Sequence, residues 1–248
     1  MQKYGGQLIH QTEDEYGIIE VVDFPSTIRG LHFGSEHQQS SSLLSNPAIL
    51  MQQYTQAMLT PLCWLKPQNC LALGMGGGCQ INYLFKFVEG IKIDAVEMRE
   101  EVVNVAEKYF MLDPLNNQLE LFIDSAESYL TKNSHQYDLI LMDLFLNSEN
   151  KSFTLKEKPI LQQLFNSLSS KGMLCFTFYG NDYTHYEGLL LLHNIFNKQC
   201  YLLEIDNNHQ ILFAFKTPPP AVENINFEVM EKQFGLPFKQ FFSDMKLV

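Results

Sequence analysis

The chain has few cysteines, and no two of them sit at metal-ligand spacing. Its five, Cys63, Cys70, Cys79, Cys175 and Cys200, are odd in number and scattered along 248 residues. No C-x-x-C pair occurs, so neither a zinc site nor a disulfide framework is indicated. A reducing, cytoplasmic compartment is the expectation that follows. Positive charge is also scarce, with 17 Lys and Arg against 28 Asp and Glu, a net charge of −11. Phosphate neutralisation needs clustered cations, which argues against a nucleic-acid binder. No apolar run approaches the ~18 residues of a membrane span, and residues 1–15 carry no signal-peptide apolar core. Internal repeats and low-complexity blocks are absent. What remains is a composition with 46% hydrophobic and 18% charged residues, that of a globular chain long enough for a full core. The acidity suits a cationic small molecule and equally serves solubility.

Two textures divide the chain. Residues 7–11, 16–23 and 27–33 read as short strands broken at 12–15 and at Phe24-Pro25-Ser26, a small antiparallel sheet that needs support. Residues 34–45 read as a polar loop. From Asn46-Pro47 a helical pattern runs through Ile49, Leu50, Gln53, Tyr54, Ala57 and Met58. Beyond Pro67, apolar strands at 70–75, 91–97, 119–123, 137–143 and 172–178 alternate with helices at 80–88, 100–110, 126–131 and 155–168. Repeated β-α-β units imply a parallel sheet covered on both faces. A helix at 186–196 precedes two strands, 201–205 and 210–215, joined by Asp206-Asn207-Asn208-His209 as a hairpin. A parallel sheet ending in an antiparallel hairpin is the seven-stranded, Rossmann-like arrangement of S-adenosylmethionine (SAM) methyltransferases. The expected organisation is a small N-terminal β domain with its loop (1–45), a nucleoside-binding α/β domain (46–217) and a tail (218–248). The tail's phenylalanines pack on the body or on a partner subunit.

The segment Leu73-Gly74-Met75-Gly76-Gly77-Gly78-Cys79 carries an apolar strand into glycines and then a helix. Glycine permits a sharp turn and the close approach of a ligand. The dinucleotide fingerprint would place a glycine where Cys79 stands, a departure that leans away from NAD. A helix N-terminus lowers a thiol pKa, whereas burial leaves Cys79 inert. Glu97 ends the next strand, 21 residues after Gly76, where a carboxylate accepts from ribose hydroxyls. Asp124 follows the third strand and accepts from an adenine amino group, caps the next helix, or does both. Asp143 ends the fourth. Ligands of open α/β sheets bind at these carboxyl ends.

In order and spacing, the chain over residues 5–216 resembles the spermidine synthase (polyamine aminopropyltransferase) superfamily, in the branch with a G-x-G-G-G motif. The likeness rests on Leu31-His32-Phe33-Gly34-Ser35 with Gln38-Gln39, Tyr54-Thr55-Gln56-Ala57-Met58, residues 74–78, Val96-Glu97-Met98, Asp124-Ser125-Ala126 and residues 137–143. The resemblance implies Gly74, Gly76, Gly77, Gly78, Glu97, Asp124 and Gln39 as donor-binding residues and Asp143 as the central catalytic acid. It places Tyr54 and Gln56 on the acceptor side. The implied donor is decarboxylated SAM or SAM, leaving methylthioadenosine or S-adenosylhomocysteine. The implied acceptor is a small amine, with no metal, and the implied assembly is a homodimer.

The chain departs from the pattern at three acids. The second Asp of D-x-x-D-P falls at Leu146, the Asp of G-G-G-D-G-G at Gly77, and the Tyr-His-Glu triplet reads Tyr54-Thr55-Gln56. Desolvating each ammonium of a diamine costs several kcal/mol unless a carboxylate or π face compensates. Glu36, Glu149, Phe145, Tyr179 and Tyr183 are candidate substitutes. With those three positions neutral, the surplus acidity is expected mostly outside the pocket. Three readings follow: an aminopropyltransferase-like enzyme, a methyltransferase using intact SAM, and a nucleoside-binding protein without chemistry.

Overall fold

The computed structural model describes residues 1–146, 151–152, 158–179, 183–206 and 209–248, and only the backbone of 145–146, 151–152, 158, 179 and 183–187. Among the side chains outside this description are Leu146, Glu149, Phe145, Tyr179 and Tyr183. The chain opens with five strands in sequential antiparallel order: β1 (Gln2–Lys3), β2 (Gly6–Asp14), β3 (Gly17–Phe24), β4 (Ile28–His32) and β5 (Gln38–Leu43). The loop expected over 34–45 contains β5, which has almost no apolar residues. Its serines are buried and pair with β4, Gly30 opposite Ser41 and Arg29 opposite Ser42, so ladder hydrogen bonds replace hydrophobic pattern. The helix expected from Asn46 shrinks to α1 (Gln53–Ala57). Turns at 46–49 and a bridge from Leu50 to Ser42 tie the preceding residues to β5 instead.

The alternation beyond Pro67 gives β6 (Asn69–Leu73), α2 (Cys79–Phe87), β7 (Lys92–Glu97), α3 (Glu100–Tyr109), β8 (Leu119–Ile123), α4 (Ala126–Lys132) and β9 (Tyr137–Met142). A short pair, β10 (Phe145–Leu146) and β11 (Lys151–Ser152), leads to α5 (Lys158–Asn166), β12 (Leu168–Tyr179), α6 (Tyr183–Ile195), β13 (Cys200–Glu204) and β14 (His209–Phe215). After two helices, α7 (Phe227–Phe234) and α8 (Phe238–Asp244), the chain adds β15 (Lys246–Leu247). The large sheet therefore has eight strands where seven were expected, in the order β15-β13-β14-β12-β9-β6-β7-β8. Two residues at an edge give no periodic signal, so β15 is invisible to pattern.

The period-2 alternation of a strand builds two cores. Cys70, Ala72, Ile93, Ala95, Leu139 and Leu141 face one side, with α2 and the C-terminal helices. Leu71, Leu73, Val96, Ile140 and Met142 face the other, with α4, α5 and α6. In the tail, Phe234, Phe238 and Phe241 are buried, the Tyr83 hydroxyl donates to the Phe234 carbonyl (2.6 Å), and Phe242 meets Trp64 at 4.5 Å between rings. Helix α3 lies between the sheets. Its Val103 and Ala106 enter the large core, while Val102 and Val105 pack with Ile19, Val21 and Leu31 of the N-terminal sheet. This packing sets the small sheet over the carboxyl ends of the large one.

Candidate active site

The carboxyl ends of β6, β7, β8 and β9, with the loops behind them, open into a cavity of about 520 Å³ roofed by the N-terminal sheet. Main-chain bonds lock the strand ends together. Gly74 N–H donates to Val96 (2.9 Å), Asp143 N–H to Leu73 (2.9 Å) and Asp124 N–H to Glu97 (3.2 Å). The order β8-β7-β6-β9 then spreads Asp124 and Asp143 over three inter-strand gaps, roughly 14 Å at strand spacing. Glu97 and the glycine loop lie between them.

Gly74 and Gly76 line the cavity with φ of +78° and +49°. Their missing side chains leave room for protein rather than for a ligand. A Cβ on Gly74 would stand 2.3 Å from the Asp143 carbonyl, and one on Gly76 would stand 2.6 Å from Ser40 Oγ. Gly77 and Gly78 do not line the cavity. Gly77 donates its N–H to Ser40 Oγ (2.8 Å), and a Cβ there would meet Phe110 and Ser40 at 3.0 Å. Gly78 caps α2 in the left-handed region against Leu112. Half of the glycine motif thus docks the N-terminal sheet, and a side chain at position 77 would press on Phe110 and Ser40.

Glu97 lines the cavity and enters it with partners. Its Oε1 accepts from Arg99 N–H (3.2 Å) and its Oε2 from Met75 N–H (3.3 Å). Burial raises its carboxyl pKa, and these N–H donors and the Arg99 charge oppose that rise. Asp124 lines the cavity too, but the N-cap of α4 is Ser125, whose Oγ accepts from Ser128 N–H (3.1 Å). Asp124 stands one residue earlier and accepts from Lys132 Nζ (2.9 Å), Ser128 Oγ (3.0 Å) and Ser125 N–H (2.9 Å). Lys132 and then Ser128 hold its pKa below the ordinary value.

Asp143 differs. Its Oδ1 is buried with no hydrogen-bond partner among the described residues. Burial pushes the carboxyl up to about 7, and the Tyr54 phenol beside it pulls the other way. Burial and the Asp143 charge in turn hold the Tyr54 phenol well above its ordinary range. The Tyr54 ring stacks on His209 at 4.8 Å and 6°, and His209 Nδ1 lies 2.9 Å from Asp206. Gln56 is not brought to the cavity. It spends its amide on the Leu50 carbonyl (2.7 Å), because two residues along a helix face opposite sides. Gln39 does line the cavity, with Oε1 buried and unpartnered among the described residues. Gln52, Gln80, Ser40 and Thr55 continue that neutral wall. Cys79 is buried against the Ser41 carbonyl (3.5 Å), and burial raises its thiol to about 12, so it is no nucleophile.

Sequence reasoning missed the roof: Tyr16, Ile18, Phe33 and Arg99 all line the cavity. Glu97, Asp124, Glu127 and Asp143 face the cavity, against Arg99 as the one lining cation among the described residues, and Arg99 is committed to Asp14. The lining's acids are the three strand-end acids read from the sequence, with Glu127 added.

A family model described as the spermine/spermidine synthase domain matches residues 51–187, more than half of the chain and every strand end just described. The chain belongs to the spermine/spermidine synthase family. A polyamine aminopropyltransferase of Neisseria meningitidis is 26% identical over 240 residues, spanning 94% of this chain and 89% of that protein. The fold is shared with the spermidine synthase of Thermotoga maritima, at a TM-score of 0.71 and 14% identity over 98% of this chain and 85% of that one. It is shared also with human methyltransferase-like protein 13, solved with S-adenosylhomocysteine, at a TM-score of 0.64 and 20% identity over 75% and 94%. The matched range contains Glu97, Asp124 and Asp143 at the strand ends and Gly77 in its packing contact with Ser40 and Phe110.

Proposed function

We propose that the protein is a transferase moving an aminopropyl group from an adenosyl-sulfonium donor, decarboxylated SAM, to a small amine. The observation that carries this reading is Asp143, a buried carboxyl with an unpartnered oxygen and a pKa near 7, in the same cavity as Glu97 and Asp124. The cavity's residues fit such a donor. Glu97 offers its free lone pairs to ribose hydroxyls, Asp124 stands one strand further along for the base, and the acidic lining favours a cation. The donor supplies an electrophilic carbon beside sulfur and a neutral thioether as leaving group.

The chain's own groups do the rest by position and proton transfer. Asp143 in its ionised form accepts a proton from the attacking amine. The amine nitrogen then forms its bond to carbon as the carbon–sulfur bond breaks, and that bonding pair stays on sulfur. Tyr54 keeps Asp143 ionisable near neutrality by opposing the effect of burial. An acid at its ordinary pKa would be a weaker base, and one left fully raised would stay protonated.

Methyl transfer from intact SAM is the second reading, favoured by the neutral wall of Gln39, Gln52, Gln80, Ser40 and Thr55. Nothing in that wall repels a donor carboxylate. Calorimetry with methylthioadenosine, decarboxylated SAM and SAM, followed by product analysis with putrescine, separates the readings. Tighter binding of decarboxylated SAM and an aminopropylated product is expected. A preference for intact SAM with no such product overturns aminopropyl transfer, and no nucleoside binding at all overturns both.

A further inference from the structure

Arg99 follows the strand that ends in Glu97, yet its side chain serves another part of the molecule. Its main-chain N–H donates to Glu97 Oε1 (3.2 Å). Its guanidinium grips the β2–β3 hairpin, with Nε and Nη2 donating to the two Asp14 oxygens at 2.9 and 2.8 Å and Nη2 also to the Gly17 carbonyl at 2.8 Å. The same group lies 4.5 Å from the centroid of the Phe33 ring and 6.0 Å from that of Tyr16. Arg99 is only 8% exposed. A planar, two-pronged, desolvated pair of this kind fixes orientation as well as distance.

The hairpin tip it holds is unusual for an exposed turn. Tyr16 and Ile18 are 42% and 37% exposed although apolar, and both, with Gly17, line the same cavity as Glu97 and Asp124. The hydrophobic contacts of β3 with α3 run through Ile19 and Val21, the near side of that tip. Beyond them, the Arg99–Asp14 pair is what ties the turn down. Burial alone would raise the Asp14 carboxyl, but Arg99 and the N–H groups of Tyr16 and Gly17 hold it below its usual range, so the pair stays charged.

We propose that the tip of the β2–β3 hairpin is the outer wall of the nucleoside pocket, and that Arg99 is the positioning residue that holds it there through Asp14. This rests on the reading of Glu97 and Asp124 as a nucleoside site. Tyr16 and Ile18 supply the apolar surface that covers the bound nucleoside, and Arg99 couples that cover to the carboxylate holding the ribose. The role is separate from proton transfer, so it acts on donor affinity and leaves the chemical step alone.

The test is a double-mutant cycle on methylthioadenosine affinity with Asp14→Asn, Arg99→Gln and both together, alongside Tyr16→Ala. Each change should weaken binding about tenfold, a usual size for coupling between sites. The double variant should be no weaker than the worse single one, because both remove one interaction. Donor KM should rise with kcat unchanged at saturation. Methylthioadenosine should slow hydrogen exchange at residues 14–18 in the wild type and not in Asp14→Asn. If Arg99→Gln fails to fold, Asp14→Asn and the exposed Tyr16→Ala still decide. Wild-type affinity in those two variants overturns the proposal and leaves the nucleoside reading intact. A wild type that binds no nucleoside overturns both.

Discussion

Glu97 and Asp143 leave the same edge of the same sheet, separated by one strand, and their carboxylates meet opposite surroundings. Both oxygens of Glu97 already accept main-chain N–H groups, and Asp124 accepts from a lysine, a serine and an amide. Asp143 has a buried oxygen with no partner among the described residues and a pKa near 7. Partnered carboxylates are fixed in position, which suits holding a nucleoside, and at Asp124 the partners also favour the charged form. An unpartnered one is poised to exchange a proton at neutral pH, the condition for a general base. One half of the cavity is built to bind and the other to react.

Three substitutions, the first read in two ways, press on that contrast, in descending order of effect. Asp143→Asn should lower turnover by roughly 10²–10⁴-fold, the usual worth of a general base, while calorimetry finds methylthioadenosine affinity unchanged. Equal loss of both would erase the distinction between the two ends. Glu97→Ala should weaken methylthioadenosine about a hundredfold, since two charge-assisted hydrogen bonds are removed. Turnover at saturating donor should suffer far less. Asp124→Asn keeps shape and loses charge at a partly exposed site, so a loss of only about fivefold in nucleoside affinity is expected by the same calorimetry.

The smallest effect concerns stability. The Asp143 pKa rises from an ordinary 3.8 to about 7 on folding. Between those values the native state keeps a proton that the unfolded chain has released, so stability falls as pH rises through this window. Above about pH 7 a buried charge remains. Asp143→Asn removes that charge and should raise the melting temperature by a few degrees at pH 8, with little change at pH 4. A melting temperature at pH 8 equal to the wild type's would mean that Asp143 is not desolvated.

The large sheet was legible because its central parallel strands β6 and β9 carry buried apolar runs and helices separate the strands in sequence, and the acids at its strand ends could be read from order alone. The small sheet was only half legible, because Gln38–Leu43 pairs through buried serines and not through an apolar face. Tyr54 could be picked out from its motif, but Gln56 could not be rejected until α1 showed the two on opposite faces. Asp14 ends β2 of the small sheet and Arg99, 85 residues later, stands at the N-cap of α3, so only the packing of α3 between the two sheets brings them together. One of the cavity's acids was hidden for the same reason. Glu127 is an ordinary first-turn helix residue in the sequence and a wall residue in the fold.

The most direct test is the pH dependence of kcat/KM for the sulfonium donor between pH 5.5 and 8.5, at fixed amine. Asp143 as general base predicts a rise that bends near pH 7 in the wild type, a bend displaced to higher pH in Tyr54→Phe and absent from Asp143→Asn. A profile without a bend, or the same bend in Asp143→Asn, would contradict the account.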